Sequence, residues 1–367
     1  MTRRLTFLLL LLLLTVVHLG AQGGPPPVPA DGRSYFGFTQ PQWDSQDPVL
    51  GDQRPFATRW ADTLQFQTGG KTPSLYAIPT IWQDANGMLL PFSSLQWQLN
   101  LMAGTAPKAI PMITWNAQTG WNADSSSYAG ITTKTINSGS LDAYITAYAD
   151  AVKAYGKPLF IRPICGEANG SWWCNCSPKA NPALTRQEFI YAWQRVVDIF
   201  RKRGVTNVAW LWNMNSFPPK ADWNIDTNLK GYYPGDAYVT WTSVDHYDYG
   251  PASWLDPHVS FAQSRRKPLY VAEWGVRHSA SVLTPAEQQA WLGSMFSYFE
   301  SHNTIKAVQY FDYNSSAPDP LTGHIFIYGG LVNYRWGVND NDFRLIAESG
   351  ASFRATVSAR LLSSRYQ

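Results

Sequence analysis

Eight short apolar segments recur along the chain, and a longer amphipathic or irregular stretch follows most of them. Apolar runs of this length, separated by longer connections, are typical of parallel strands that are covered on both faces. The segments occupy residues 34–40, 74–82, 109–115, 158–164, 207–214, 239–247, 268–274 and 307–313. Because eight parallel strands close into a barrel, we predict an α/β fold consisting of a single (β/α)8 TIM barrel.

Three of the connecting stretches carry clear helix signals. Thr185 and Glu188 form a capping box before an apolar stripe of helical periodicity, and Thr284 and Glu287 repeat that arrangement. A third amphipathic stretch ends at Gly156, and glycine commonly terminates helices. We therefore predict helices over residues 140–156, 185–204 and 284–300, where barrel crossovers belong. The first two connections are less regular and predict no element.

The first 33 residues differ from the rest of the chain. An apolar run from Phe7 to Val17 follows two arginines and precedes small residues, which is typical of a secretory signal peptide. The run is shorter than the roughly 20 residues of a membrane span, so a retained anchor is the less favoured alternative. We predict a signal peptide over 1–22, a Pro/Gly-rich spacer over 23–33 and one catalytic domain over 34–367. The mature protein would be secreted or periplasmic, with no membrane association.

The composition narrows the classes of partner. The formal net charge is +3, charged residues make up 15%, and no long basic cluster is present, which argues against a nucleic-acid partner. Aromatic residues make up 14% of the chain. Most aromatic side chains pack in a core, but an exposed ring also offers a flat apolar surface to the C–H face of a neutral sugar. We expect a monomer that binds a neutral ligand.

Two glutamates follow strand runs at the barrel end where chemistry gathers, the C-terminal end of the strands. Glu167 lies three residues after the fourth run, and Glu273 lies in the last residues of the seventh. Two strand–helix units separate them, which predicts that they face each other across the barrel mouth. Two such acids can cleave a glycosidic bond, one as proton donor and one as nucleophile. Apolar surroundings favour a neutral Glu167, and a hydrogen bond from Tyr247 would favour an ionised Glu273.

All three cysteines of the chain lie close to Glu167 in sequence. Cys174 and Cys176 are too near each other to bridge easily, so we predict a disulfide from Cys165 to one of them. An alternative is a Cys165 thiol nucleophile, which would need His246 or His278 to reach it through folding. No histidine stands at ligand spacing, and we predict no metal site.

Three separated segments resemble glycoside hydrolase family 26, the β-mannanase-type family of the retaining (β/α)8 clan. RPICGEANGSWW at 162–173 resembles the family's acid/base motif. YYPGDAYVTWTSVDHYDYG at 232–250 resembles the segment leading into its sixth strand, and LYVAEWGV at 269–276 resembles its nucleophile strand. The resemblance runs from roughly residue 109 to 313. It implies a retaining endo-β-glycosidase that needs no cofactor and hydrolyses a neutral β-linked polysaccharide, most readily β-mannan, with mixed-linkage β-glucan or xylan as alternatives.

Carried over position by position, the resemblance implies Glu167 as general acid/base and Glu273 as nucleophile, with Tyr247 orienting the nucleophile. It also implies a set of residues around the substrate, with Trp172 as a floor for the sugar at the cleavage point and Asn169 shaping the loop. The further members of this set are Trp115, Trp121 and, in place of the family's tryptophan on the eighth strand, Tyr310 or Phe311.

The chain also departs from the family motif. Gly166 stands where the family has a histidine, and one additional residue separates Arg162 from Glu167. The additional residue predicts a bulge or a redirected loop. This departure supports a second hypothesis, a carbohydrate-binding barrel that has lost turnover. The separation of the two carboxyl groups discriminates between the hypotheses, because retaining chemistry requires roughly 5 to 5.5 Å.

Overall fold

A closed barrel of eight parallel strands forms the centre of the molecule, as predicted. The computed structural model describes residues 23–39, 70–120, 130–170, 176–179, 181–216, 229–247, 250–276, 284–311 and 359–366. The strands are β1 (Tyr35–Thr39), β2 (Leu75–Gln83), β3 (Ile110–Thr119), β4 (Leu159–Ile164), β5 (Val208–Asn215), β6 (Trp241–Tyr247), β7 (Leu269–Gly275) and β8 (Ile305–Phe311). Each strand overlaps one of the eight predicted segments. Pairing of β1 with β8, from Tyr35 beside Ala307 to Thr39 beside Phe311, closes the barrel.

Helices occupy the crossovers on the outside of the barrel. They are α1 (Gln96–Thr105), α2 (Thr133–Asn137), α3 (Asp142–Tyr155), α4 (Arg186–Lys202), α5 (Asp256–Ser264), α6 (Pro285–Ser301) and α7 (Ala359–Leu361). Single 3-10 turns lie at Phe92–Leu95, Lys230–Tyr232 and Ala252–Leu255. Both predicted capping boxes, at Thr185 and Thr284, are present, and Gly156 ends α3 in the left-handed conformation with a φ of 71°. The helix α1 lies in a connection for which the sequence predicted no element.

Two hydrophobic clusters divide the interior between them. The smaller cluster contains strand side chains such as Phe160, Trp241 and Tyr270, whose rings meet edge to face inside the barrel. The larger cluster joins the alternate strand positions to the apolar stripes of the helices. Since side chains alternate across a strand, the cluster to which a residue belongs shows whether it points into the barrel or toward the helices.

Strand β7 contains a bulge that breaks this alternation. Val271 pairs with Val244 of β6, but the next pair is Glu273 with Asp245, so one residue of β7 is unmatched. Ala272 belongs to the inner cluster, and the following side chain, Glu273, also points inward. An extra residue in one strand is a recognised way of redirecting a side chain. The bulge therefore directs the Glu273 carboxylate into the barrel mouth.

The Pro/Gly-rich segment over residues 23–33 does not behave as the predicted spacer. It forms no helix, as expected, but it packs across the N-terminal end of the barrel, with Pro26 and Pro29 buried. Gly23 N–H donates to the Gly156 carbonyl at 2.9 Å, and Lys306 Nζ donates to Asp31 at 2.9 Å. The folded unit therefore includes this segment, and the predicted start near residue 34 is too late.

The predicted signal peptide over 1–22 lies outside the described residues. Among the helices that the structure describes, none combines the length and the apolar character needed to cross a membrane.

Candidate active site

Glu167 lies just beyond β4, on a chain path that contains an unusual turn. Cys165 N–H donates to the Pro163 carbonyl at 2.9 Å, and Ile164 between them has a φ of 75°. A three-residue hydrogen-bonded turn with this φ is a strained γ-turn, and positive φ is rare for a β-branched residue. The turn redirects the chain immediately before the acid. Of the two outcomes predicted for this segment, a bulge or a redirected loop, the structure shows the second.

Beyond that point, Glu167 begins a second turn that is held from β5. Gly170 N–H donates to the Glu167 carbonyl at 3.1 Å, which closes the turn. Asn169 at its tip accepts a hydrogen bond from Asn215 N–H at 2.8 Å and donates to the Asn215 carbonyl at 3.2 Å. Its amide thus both accepts from and donates to the backbone of β5. Asn169 shapes the loop, as the family resemblance implies.

Glu273 is fixed by two donors. Tyr247 Oη donates to Glu273 Oε2 at 2.7 Å, which confirms the predicted hydrogen bond. Arg162 Nη2 donates to Glu273 Oε1 at 2.5 Å. Both contacts fix the orientation of the carboxylate.

A third acid, Asp245, joins these two. It is fully buried, and it accepts hydrogen bonds from Arg162 Nη1 at 3.2 Å and from Asn213 Nδ2 at 2.7 Å. One carboxylate oxygen from each of Glu167, Asp245 and Glu273 lies within 4.8 Å of the others. Carboxylates at this spacing are also a donor set for a divalent cation. Here the Arg162 guanidinium already supplies positive charge to two of them.

Burial makes the three acids compete for protons. Burial and the negative charge of Glu273 raise the pKa of Glu167 to about 7, against the opposing charge of Arg162. The same two causes raise the pKa of Asp245 above its usual range. Asp245 accepts two hydrogen bonds that stabilise its anion, whereas Glu167 Oε2 is buried and accepts none from the described residues. We therefore assign the proton of this group to Glu167, as the sequence predicted.

Two residues predicted to contact substrate point toward the helices and away from the barrel mouth. Trp115 is fully buried in the outer cluster, where it stacks on Tyr148 with ring centroids 4.0 Å apart. Tyr310 is also fully buried there and packs edge to face on Trp274 at 4.8 Å. Strand alternation turns both side chains toward the helices, so neither can form a sugar platform. Phe311, the alternative to Tyr310, lies 5.8 Å from the Tyr247 ring, at the mouth of the barrel.

The cysteine predictions are met in part. Cys165 is in a disulfide, which removes the alternative of a Cys165 thiol nucleophile. Cys176 is a buried thiol that donates to the Ala117 carbonyl at 3.4 Å, so it is not the one of the two predicted partners that pairs with Cys165. The predicted site residues Trp121, Trp172 and Cys174 lie outside the described residues, as does His278.

Sequence reasoning missed Arg162, Asp245 and Asn213 as parts of the site. A usable signal existed, because Arg162 and Asp245 are charged residues inside predicted buried strands. Charged side chains are almost never buried unless they are paired. Asp245 also lies two residues before Tyr247, on the same face of β6. The signal for Asn213 is weaker, since amides occur in many buried positions.

Comparison with known proteins agrees with this geometry. Residues 92–272 match the sequence model of Glycosyl hydrolase family 26. Endoglucanase H of Acetivibrio thermocellus is 32% identical over 235 residues, which are 59% of this chain and 24% of that protein. The chain thus spans about a quarter of the length of that relative.

Two solved structures have the same fold. A GH26 beta-mannanase from Bacteroides ovatus is 14% identical, with a TM-score of 0.54 over 89% of this chain and 90% of its own. A modular endo-beta-1,4-mannanase from Cellulomonas fimi is 17% identical, with a TM-score of 0.55 over 92% of this chain and 72% of its own. The solved structures agree in fold, and the sequence match places residues 92–272, about half of the chain, in glycoside hydrolase family 26.

Proposed function

We propose that the chain is an endo-acting, retaining β-glycosidase that hydrolyses a neutral β-linked polysaccharide with Glu167 as general acid/base and Glu273 as nucleophile. The observation that carries the proposal is the spacing of the two acids, since one oxygen of each lies within 4.8 Å of the other. Retaining enzymes hold their carboxyl groups about 5 to 5.5 Å apart, and inverting enzymes about 6.5 to 9.5 Å. The short spacing favours direct attack by a carboxylate.

In the first step, Glu167 gives its proton to the glycosidic oxygen while Glu273 attacks the anomeric carbon. The bond from that carbon to the leaving sugar breaks, and a covalent ester to Glu273 forms. Tyr247 and Arg162 hold the attacking carboxylate, which limits the reorientation needed to reach the transition state.

The second step uses the change in charge that the first step produces. The negative charge of Glu273 is one cause of the raised pKa of Glu167, and esterification removes that charge. The pKa of Glu167 then falls, so its carboxylate can accept a proton from the water that attacks the ester. Hydrolysis returns both groups to their starting states.

The spacing also separates this proposal from the two alternatives. A binding barrel without turnover has no need for two acids within 4.8 Å, one of them buried and neutral. A cysteine-dependent hydrolase requires a thiol at Cys165, which is in a disulfide.

Two substrates are candidates for this site. The sequence motifs and the fold resemble those of mannanases, so β-mannan is the first. The second is a β-glucan, because the relative at 32% identity is named an endoglucanase. We also propose export, which is supported by the apolar run from Phe7 to Val17.

The test is a reducing-sugar assay on β-mannan, β-1,4-glucan, mixed-linkage β-glucan and xylan, with wild-type protein and Glu273→Ala. We expect wild-type hydrolysis of at least one polymer and a loss of at least about 10³-fold in the variant, because the nucleophile is gone. Glu300→Ala is the control, since Glu300 lies on α6 and pairs with Arg360 away from the barrel mouth. Near-normal turnover by a folded Glu273→Ala protein would refute the assignment.

A further inference from the structure

Asn213 on β5 uses both ends of its side-chain amide in hydrogen bonds near the acids. It is 2% exposed. Its Nδ2 donates to the Gly166 carbonyl at 2.8 Å and to Asp245 Oδ2 at 2.7 Å. Its Oδ1 accepts from Ser243 Oγ at 2.7 Å, and its backbone carbonyl accepts from Ala168 N–H at 3.0 Å. Both amide hydrogens and both oxygens of this residue are therefore engaged.

These contacts hold the chain on both sides of the proton donor, Glu167. Gly166 and Ala168 are the residues on either side of Glu167, and Asn213 holds both. Gly166 has no side chain with which to orient the acid. A Cβ built at Gly166 would meet nothing closer than Arg162 Nη2 at 3.9 Å, so packing does not explain the glycine. Contacts from β5 thus orient this loop, and a side chain at residue 166 does not.

We propose that Asn213 is a positioning residue that decides which acid carries the shared proton. Its amide bridges the loop of Glu167 to Asp245, stabilises the Asp245 anion and so leaves the proton on Glu167. This inference rests on the proposed two-glutamate function and deepens it, because only a protonated Glu167 can activate the leaving group.

Glu167 and Asp245 are buried acids that compete for one proton. Carboxylate oxygens of Glu167 and Asp245 lie within 4.8 Å of each other, and the negative charge of Glu167 raises the pKa of Asp245. A donor to one carboxylate lowers its proton affinity, and removal of that donor raises it. Without the Asn213 amide, Asp245 would take up more of the proton, and Glu167 would ionise at lower pH.

The direct test is titration of Glu167 by NMR of protein with ¹³C-labelled glutamate carboxyl groups, with Glu167→Gln used to assign the signal. In the wild type we expect the Glu167 midpoint near pH 7. In Asn213→Ala we expect it to fall by on the order of 1 pH unit, the equivalent of one hydrogen bond to a charged group. An unchanged or higher midpoint would overturn the proposal. This measurement requires no turnover, so its result is independent of the substrate.

Steady-state kinetics provides a second measurement. A loss of packing alone would neither shift the pH profile nor slow one substrate type more than the other. With a polymer that the wild type hydrolyses, Asn213→Ala should shift the basic limb of kcat/KM to lower pH. The variant's kcat/KM should also fall by about 10-fold or more on the polymer. It should fall much less on an aryl glycoside with an activated leaving group, because that leaving group needs little protonation. Equal losses on both substrates would contradict the role.

Asn207→Ala is the matched control. Asn207 is also a buried asparagine whose Nδ2 donates to two backbone carbonyls, those of Val152 and Lys157, but it precedes β5 at the opposite end of the barrel. We expect it to lower stability and leave the Glu167 midpoint unchanged. If Asn213→Ala fails to fold, Ser243→Ala removes only the donor that orients the Asn213 amide. In that variant the Glu167 midpoint should also fall, by less than in Asn213→Ala. An unchanged midpoint would refute the inference.

Discussion

Residue type alone does not assign roles to the three acids at the barrel mouth, because all three are carboxylic acids with oxygens within 4.8 Å of one another. Their partners distinguish them. Glu273 accepts from Tyr247 and Arg162, and Asp245 accepts from Arg162 and Asn213. Among the residues that the structure describes, Glu167 has the fewest hydrogen-bond donors, and it is buried. Local hydrogen bonding thus leaves one acid protonated beside a charged one, which is the pairing that acetal cleavage requires.

The first prediction at this scale concerns Glu167→Gln. Hydrolysis of the polymer should fall by about 10² to 10⁴-fold, because glutamine cannot donate the proton. Glycosides with activated aryl leaving groups should be slowed far less in the step that forms the ester. Since Glu167 must be protonated and has a pKa of about 7, wild-type kcat/KM should fall as pH rises through about 7. This basic limb should be absent in the variant.

Steady-state kinetics on the two substrate types across pH 5 to 9 checks that prediction. A variant that retained the basic limb would show that another group sets it. Equal slowing of polymer and aryl glycoside would count against proton donation by Glu167.

At the residue scale, the locations of the acids were predicted from the sequence more accurately than those of the aromatic residues. Glu167, Glu273 and Tyr247 come together as expected, because polar side chains at strand ends have few stable places other than the barrel mouth. Trp115 and Tyr310 were assigned incorrectly, since an aromatic residue fits either face of a strand. One position of difference along a strand decides between core packing and a sugar surface.

Two local irregularities position the acids at the scale of single elements. The bulge in β7 turns Glu273 inward, and the γ-turn at Ile164 redirects the chain toward Glu167. The disulfide at Cys165 constrains the second of these. Strain at such positions persists only when the surroundings hold it. Here the β5 asparagines supply that support from the next strand.

Gly170 permits the second prediction, which concerns the turn that carries Glu167. A Cβ at Gly170 would lie 3.0 Å from both Cβ and Oε2 of Glu167, so it would push the carboxyl group aside. We expect Gly170→Ala to reduce kcat on the polymer by about 10 to 100-fold, since small displacements of a catalytic group are costly. The melting temperature should change little, because the turn itself can still close.

Gly104→Ala serves as the control for Gly170→Ala. Gly104 lies in α1, and a Cβ there meets nothing within 4 Å. Alanine is the better helix former, so this variant should gain roughly 0.5 to 1 kcal/mol of stability with unchanged activity. Normal kcat in Gly170→Ala would show that the acid tolerates the displacement.

The elements themselves were predictable, but their irregularities were not. All eight strands and three main helices follow from apolar runs and caps, which are local properties of the sequence. The bulge depends on how β7 pairs with β6 and β8, which is not visible in β7 alone. The redirected loop before Glu167 was foreseen only because the spacing from Arg162 differs by one residue from a related motif.

At the scale of the whole molecule, the barrel separates stability from chemistry. The acids lie at the C-terminal ends of the strands, while the segment over 23–33 crosses the N-terminal end from Gly156 to Lys306. Tyr35, at the start of β1, donates to the Pro27 carbonyl at 2.9 Å. In barrels of this class, that end contributes to stability and not to catalysis.

The third prediction follows from this division. A chain beginning at residue 32 should be less stable than one beginning at residue 23 by on the order of 2 kcal/mol, since it loses two buried prolines and several hydrogen bonds. Thermal unfolding should show a melting temperature lower by several degrees. Turnover at 20 °C should be equal in the two proteins. A loss of turnover without a change in melting temperature would contradict the separation.

The overall topology was predictable because eight apolar runs with crossovers allow few other arrangements. The docking of the N-terminal segment was not, since its prolines and glycines show no periodicity that identifies a partner. Its contacts depend on a groove that exists only after the barrel closes.

The unmatched residue in β7 also bears on how this active site tolerates change. The bulge places two consecutive side chains, Ala272 and Glu273, on the inner face, because two residues of β7 lie opposite one position of β6. Deleting Ala272 would remove this irregularity and leave the glutamate after the outward-pointing Val271, where regular alternation also turns it inward. Loss of the unmatched residue is therefore a change in strand length that the direction of this glutamate tolerates.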